Sequence, residues 1–285
     1  MEHLVGENFT QQASKPAFMV TLSYDFRPDE IDAVRQVVLG NEATPYLELR
    51  RERNVEGEAP VVTRERIWQA HLIGLMTTQQ SSGPESAVAK FLSEQSSGLS
   101  LDACREADDV ESYVVGVLRE SPYSVGFHTR IGKSCAVNLE RLKRHGEAGW
   151  ERLEAELSRL VECRNQHPDP THADVEREVA RFLHTELAGE GLRWIGEKQS
   201  RNMLLMLGLS RYEIPLDSRL DSWTSSNFNQ PSILANQSLD KYYAIAVDLL
   251  QEACIEADVL PCLFDAAAFA DGDEWDRRTL EQVLP

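Results

Sequence analysis

The sequence predicts an all-α protein, with at most a minor strand near the N-terminus. From Glu65 onward apolar residues recur at helical spacing, and the runs are separated by short breaks of Gly, Ser or Pro. Repeats of about 20–50 residues, heptads and low-complexity tracts are all missing, which sets aside solenoids and coiled coils. Such a pattern points to packed helices around a core.

The elements follow in order. "AFMVTLSYDF" alternates enough for a short strand. "PDEIDAVRQVVL", residues 28–39, begins with proline, carries acids in its first turn, spaces Ile31, Val34, Val37 and Val38 on one face and stops at Gly40. The stretch "NEATPYLELRRERNVEGEAP" reads as an exposed, charged connection. "RIWQAHLIGLMTT" is apolar on most sides, as a buried helix is, and halts at "QQSSGP". "ESAVAKFLSEQ", "DDVESYVVGVLRE", "RIGKSCAVNLERLKRH", "GWERLEAELSRLVECRNQ" and "ADVEREVARFLHTELAG" supply further helices, the last two flanking "HPDPTH". The tail adds "SLDKYYAIAVDLLQEACIEA" and "LPCLFDAAAFADGDEW".

At 285 residues, 42% hydrophobic and 27% charged, the chain has the composition of a globular protein large enough to bury a sizeable core. Its longest apolar run, "MLLMLGL", is too short to span a bilayer, and "MEHLVGENFTQQ" lacks a basic flank before an apolar run, so a cytoplasmic protein without a membrane partner is expected. Five scattered cysteines suggest reduced thiols, and Cys163 with His167 lacks a second ligand pair, so no metal is expected. The net charge of −18 opposes a broad nucleic-acid coat. Its distribution is uneven, however. Residues 119–145 carry six basic and two acidic groups (+4), and residues 193–219 five basic and three acidic (+2), leaving −24 on the rest. A positive island on an acidic body suits a narrow anionic ligand, although a solvated helix face would read the same way.

The stretch "LRWIGEKQSRNMLLMLGLSRYEIPLDSRLDSW", residues 192–223, holds the most chemistry. Two helices meet there through a tight turn ending at Gly196, and the backbone N–H groups of such a turn can take a phosphate. It is not a P-loop: Gly191 and Gly196 have the correct gap, but Glu197 intervenes before Lys198 and Gln199 follows it. Lys198 sits in the first turn of its helix, where the positive helix end with Arg193 and Arg201 predicts a neutral, nucleophilic amine. Asp217 follows "EIPL", in which Pro215 blocks helix continuation. It reads equally as the N-cap of "SRLDSW" and as a catalytic carboxylate, and the two roles are compatible.

This stretch resembles the helix-hairpin-helix motif, followed by Gly/Pro and Asp, of the DNA glycosylase superfamily that includes endonuclease III and the adenine-mismatch and 8-oxoguanine glycosylases. Ile195, Gly196 and Lys198 match the hairpin, "IPLD" matches the aspartate segment, and the nineteen-residue offset from Lys198 to Asp217 fits the 8-oxoguanine branch. Two upstream segments, "HLIGLMTTQQSSG" and "SPYSVGFHTRIGKSCAVNLERL", resemble the family's loop and helix in the same order, so the likeness covers roughly residues 66–225. Arg193 and Trp194 stand where the hairpin usually has proline and glycine. The acidic insertion around 155–180 is longer than in compact members, and the four-cysteine iron–sulfur loop is absent.

The resemblance implies two helical lobes with the hairpin at the cleft: a helical barrel over 66–211, and a second lobe combining 1–65 with 212–285. It implies a monomer acting on double-stranded DNA that contains a modified base, an oxidised purine first and a bulky modified pyrimidine second, in repair or in defence. Such an enzyme flips its target nucleotide and fills the gap with a side chain. Gln79 is the candidate plug, with Gln80 beside it, and Arg193, Trp194, Gly196, Arg130 and Lys133 are the other candidate DNA contacts. Lys198 would attack the anomeric carbon and hold the sugar as a Schiff base, making a bifunctional glycosylase and lyase, while Asp217 stabilises the developing positive charge. Phe127, His128 and Trp223 are the candidate base-pocket residues, with Ser134, Asn138, Asp265 and Phe269 as lesser ones. No cofactor is implied beyond a monovalent cation at the hairpin. Two other readings stay open: a silent DNA-binding module that keeps Asp217 only as a cap, and a helical protein-interaction domain.

Overall fold

Side-chain caps decide where many of the helices begin. In the computed structural model, which describes residues 24–81, 83–228, 240–270 and 276–284, seven helices have a Ser, Thr or Asp N-cap whose oxygen accepts a backbone N–H of the first turn. Each such cap is worth about 1 kcal/mol. The helices are α1 (Pro28–Gly40), α2 (Pro45–Asn54), α3 (Arg64–Met76), α4 (Ala87–Gln95), α5 (Leu101–Glu106), α6 (Val110–Glu120), α7 (His128–Arg164), α8 (His172–Arg181), α9 (Glu197–Met206), α10 (Ser218–Asn227), α11 (Asp240–Glu256), α12 (Pro261–Ala270) and α13 (Arg277–Val283). There is no strand among the described residues, and the fold is all-α. Of the expected N-terminal strand, residues 17–23 lie outside the described residues and Tyr24–Phe26 belong to no regular element. No described helix is long and apolar enough to cross a membrane.

One expectation about the helices is corrected. The charged stretch after Gly40 is not a connection but contains α2, capped by Thr44 and started by Pro45. Leu47 is fully buried, and Asn54 is buried with its amide donating to Leu205 O (3.2 Å) and Ser210 O (2.8 Å). The two helices expected on either side of His145 are both present as the two arms of α7, and they meet at a non-helical kink where Arg144 is extended and residues 145–147 have positive φ. Glu147 braces the bend by accepting from Arg64 (2.8 Å) and Arg105 (2.7 Å).

Buried apolar residues form two main clusters. One joins residues between Ile67 and Leu209 and centres on Trp68, Phe91 and Trp150. The other joins α1, the start of α2 and residues from Ile214 to Ala267, around Phe228 and Phe264. A small third cluster of Leu49, Ala89 and Leu280 ties α13 to α2 and α4.

The chain passes from the first cluster to the second through residues 207–216. Gly208 opens the passage at φ +77°, where an added Cβ would lie 2.7 Å from Pro60 Cγ and 2.9 Å from Arg53 O. The Glu176 carboxylate then accepts the backbone N–H groups of Arg211, Tyr212 and Glu213 (2.8 Å each) and the Ser210 hydroxyl (2.6 Å). Burial pushes the Glu176 carboxyl up to about 7 although those four donors favour the ion. A carboxyl raised above its ordinary 4.5 stabilises the fold fully below pH 4.5 and loses that contribution as pH rises through about 7. Glu176→Ala is therefore expected to cost about 2–3 kcal/mol by stranding the donors, with the cost greatest at the acid end of that window. Denaturant unfolding of both proteins across the window checks this, and a cost that grows with pH would contradict it.

Candidate functional site

A tight turn between α8 and α9 is held open at fixed points. Gly191 has φ +72°, and a Cβ there would lie 2.0 Å from His184 O, so only glycine fits. The buried Arg141 guanidinium donates to Gly191 O and to the Glu190 carboxylate. Asn138 grips the next residue from both sides: its Oδ1 accepts Arg193 N–H (2.6 Å) and its Nδ2 donates to Arg193 O (3.1 Å). The same amide donates to His71 Nε2 (2.7 Å), and burial holds that imidazole neutral, its pKa lowered to about 3. Gly196 is the N-cap of α9, and Lys198 is the second residue of that helix.

Lys198 Nζ stands 3.5 Å from Asp217 Oδ2, an ion-pair distance longer than a close hydrogen bond. Asp217 divides its two oxygens. Oδ1 caps α10 by accepting from Arg219 N (2.9 Å) and Leu220 N (3.2 Å), and Oδ2 faces the lysine. Both groups are partly exposed, at 38% and 22% of their side chains, so an incoming molecule can reach them. Arg201, expected to press Lys198 toward neutrality, instead turns inward to the carboxylates of Glu197 and Glu213. Glu197 in turn is engaged by His184 Nε2 (3.2 Å) and Arg201, and those partners depress its carboxyl to about 2.

The pair opens onto a cleft lined also by Tyr46, Thr77, Asn202, Asp265 and Phe269 and, from α13, by Leu280 and Val283. Tyr46 and Phe269 stack with centroids 4.7 Å apart and planes 27° from parallel. Arg219 covers the Phe269 ring at 4.1 Å, and Arg50 donates to Tyr46 Oη (3.1 Å). Asp265 Oδ2 lies 3.7 Å from Arg50 Nη1. Burial raises the Asp265 carboxyl to about 6 against the pull of Arg50. The site thus combines an amine, two carboxylates and an aromatic pair whose rings stack on each other and are flanked by Arg50 and Arg219.

The three residues expected to form a base pocket do not line this cleft. Phe127 is 47% exposed with its ring under Arg130 (4.1 Å), and Trp223 packs edge-on against Phe228 (5.3 Å) and Phe264 (4.9 Å) in the second core. His128 is the half-buried first residue of α7. Ser134 is fully buried and donates to Arg130 O (2.7 Å), while Asn138 serves the turn; of the lesser candidates only Asp265 and Phe269 reach the cleft. Tyr46 was hidden in the stretch read as a connection. The Thr-Pro start of that stretch is a helix-start signal that pointed to it.

The expected nucleic-acid contacts also divide. Gln79 is exposed, at φ +63°, and its Oε1 accepts from Arg130 Nη1 (2.8 Å). Gln80 is tied down instead, donating to Met76 O (2.6 Å) and accepting from Gly126 N (2.8 Å), so it is a brace and not a free tip. Trp194, Gly196 and Lys133 are exposed, and Arg130 and Arg193 half-buried. Three members of the positive island, Arg141, Arg201 and Arg211, are buried on carbonyls and carboxylates, so the surface is less basic than the sequence count. No group of three His, Cys, Asp or Glu able to hold a metal occurs among the described residues. No protein-family model, curated protein or solved structure matches the chain.

Proposed function

We propose that the protein is a DNA glycosylase with lyase activity, excising a modified base by Schiff-base chemistry. The observation that supports this best is the Lys198 and Asp217 pair, 3.5 Å apart and accessible at a cleft that Tyr46 and Phe269 also line. A base must leave the duplex to be reached. Tyr46 and Phe269 give the cleft apolar ring edges, and in this reading the Asp217 carboxylate would stabilise the positive charge that grows on the sugar as the bond from C1′ to the base nitrogen lengthens.

Lys198 first gives a proton to solvent, so that Asp217 stays ionised. Its nitrogen then forms a bond to C1′, the electron pair of the glycosidic bond leaves with the base, and the base takes up a proton. Opening of the sugar ring converts the C1′ adduct to an iminium. Loss of a C2′ proton then expels the 3′-phosphate and cuts the strand. No cofactor enters these steps. A monovalent cation suits the turn poorly, because Arg141 already brings positive charge to Gly191 O and Asn138 donates to Arg193 O.

Abasic duplex DNA tests the reaction without base recognition. Borohydride is expected to trap a covalent complex with the wild type, and Lys198→Ala to lower trapping by at least ~10²-fold. Equal trapping by both proteins would move the chemistry to another amine. Absence of trapping in both would favour water as the nucleophile or a binding module without chemistry.

A further inference from the structure

Three bulky or polar side chains in left-handed backbone conformations converge on one guanidinium. Gln79 (φ +63°), Phe127 (φ +59°) and Trp194 (φ +64°) come from three separate segments, and such conformations are costly for residues other than glycine. Arg130 donates to Gln79 Oε1 (2.8 Å) and Thr78 O (2.9 Å), and its guanidinium carbon lies 4.1 Å from the Phe127 ring centre and 5.8 Å from that of Trp194. Arg193 adds a second cation 5.9 Å from the Trp194 ring. Among the described residues, Phe127 (47%) and Trp194 (52%) are the aromatic members of the exposed large hydrophobics. Burial therefore does not explain why the backbone accepts this strain.

We infer that Phe127, Arg130 and Trp194 form an outer stacking platform for unpaired bases of single-stranded DNA, outside the Lys198 cleft. Every base has a π face, and aromatic rings flanked by arginine bind single strands with little sequence preference. On a chain of net charge −18, two arginines beside the exposed rings favour a polyanion over an acidic protein surface. In an intact duplex the base faces are already stacked on one another, so exposed rings favour a strand whose bases are free to turn toward the protein. The protein would then prefer gapped, bubbled or single-stranded substrates over intact duplex. Only the choice of DNA over RNA rests on the proposed glycosylase function.

Fluorescence anisotropy with labelled oligo(dT), oligo(U) and a duplex of equal length tests the platform at low salt. The wild type is expected to bind oligo(dT) more tightly than the duplex, with quenching of tryptophan emission. Trp194→Gly, which suits the left-handed backbone and so keeps the fold, is expected to weaken oligo(dT) binding about 10-fold, the scale of one lost stack. Phe127→Gly gives an independent second variant with the same expectation. Unchanged oligo(dT) affinity in both variants, or tighter binding to duplex than to single strand, would overturn the platform; tighter binding to oligo(U) would overturn its assignment to DNA. Lys198→Ala keeps the two proposals apart: it is expected to bind oligo(dT) as the wild type does while losing borohydride trapping, so either proposal can fail alone.

Discussion

Asp217→Asn is expected to leave the fold intact and to slow base release by ~10²-fold or more. Asparagine caps helices about as well as aspartate, so α10 keeps the acceptor that Arg219 N–H and Leu220 N–H now share. The lost feature is the charge on Oδ2, 3.5 Å from Lys198. Asp217→Ala removes cap and charge together and is expected to cost about 1 kcal/mol of stability in addition. Thermal unfolding of the three proteins, beside single-turnover base release from a duplex containing an oxidised purine, separates the two roles. If Asp217→Asn releases base at the wild-type rate, Asp217 is a cap and nothing more. Loss of activity in both variants with stability lost only in the alanine protein would assign the carboxylate to the chemistry.

Helices that announce themselves by caps and periodicity were legible: α1, with its proline start and four spaced apolar residues, runs one residue beyond the expected span. The stretch that became α2 misled because its charges were counted as exposed. Arg50 and Asn54 are buried, on Tyr46 and on two distant carbonyl groups, and those partners lie up to 156 residues away. The positive island lost Arg141, Arg201 and Arg211 to the interior for the same reason, since a charge count contains no information about the acceptors a fold will bring. The proximity of Lys198 to Asp217 was readable because a short helix and a proline-stopped passage fix their approach locally. The cleft wall was not. Trp223, close to Asp217 in sequence, turns into the second core, whereas Tyr46, Asp265 and Phe269 reach the cleft from both ends of the chain.

Glu213→Ala is expected to be the most destabilising substitution near the site, at about 3–5 kcal/mol. Glu213 is fully buried, and its carboxylate accepts from Arg177 Nε (3.0 Å), Gln251 Nε2 (3.0 Å) and Arg201 Nε. Arg201 is itself only 2% exposed, so removing Glu213 leaves a buried guanidinium with Glu197 as its remaining carboxylate partner. Arg201 lies one turn beyond Lys198 on α9, and Glu213 lies four residues before Asp217 on the incoming passage. Their ion pair therefore fastens together the two segments that bring the amine to the carboxylate. Replacing both partners with apolar residues of similar volume, as in Glu213→Leu with Arg201→Met, removes the stranded charge and is expected to be less destabilising than the two single changes added together. That double variant separates stability from geometry. Recovered stability with poor trapping on abasic DNA would mean that the ion pair sets the distance between Lys198 and Asp217. A Glu213→Ala cost below about 1 kcal/mol, the range of a solvated pair, would show that the buried network is not what holds α9 to the passage.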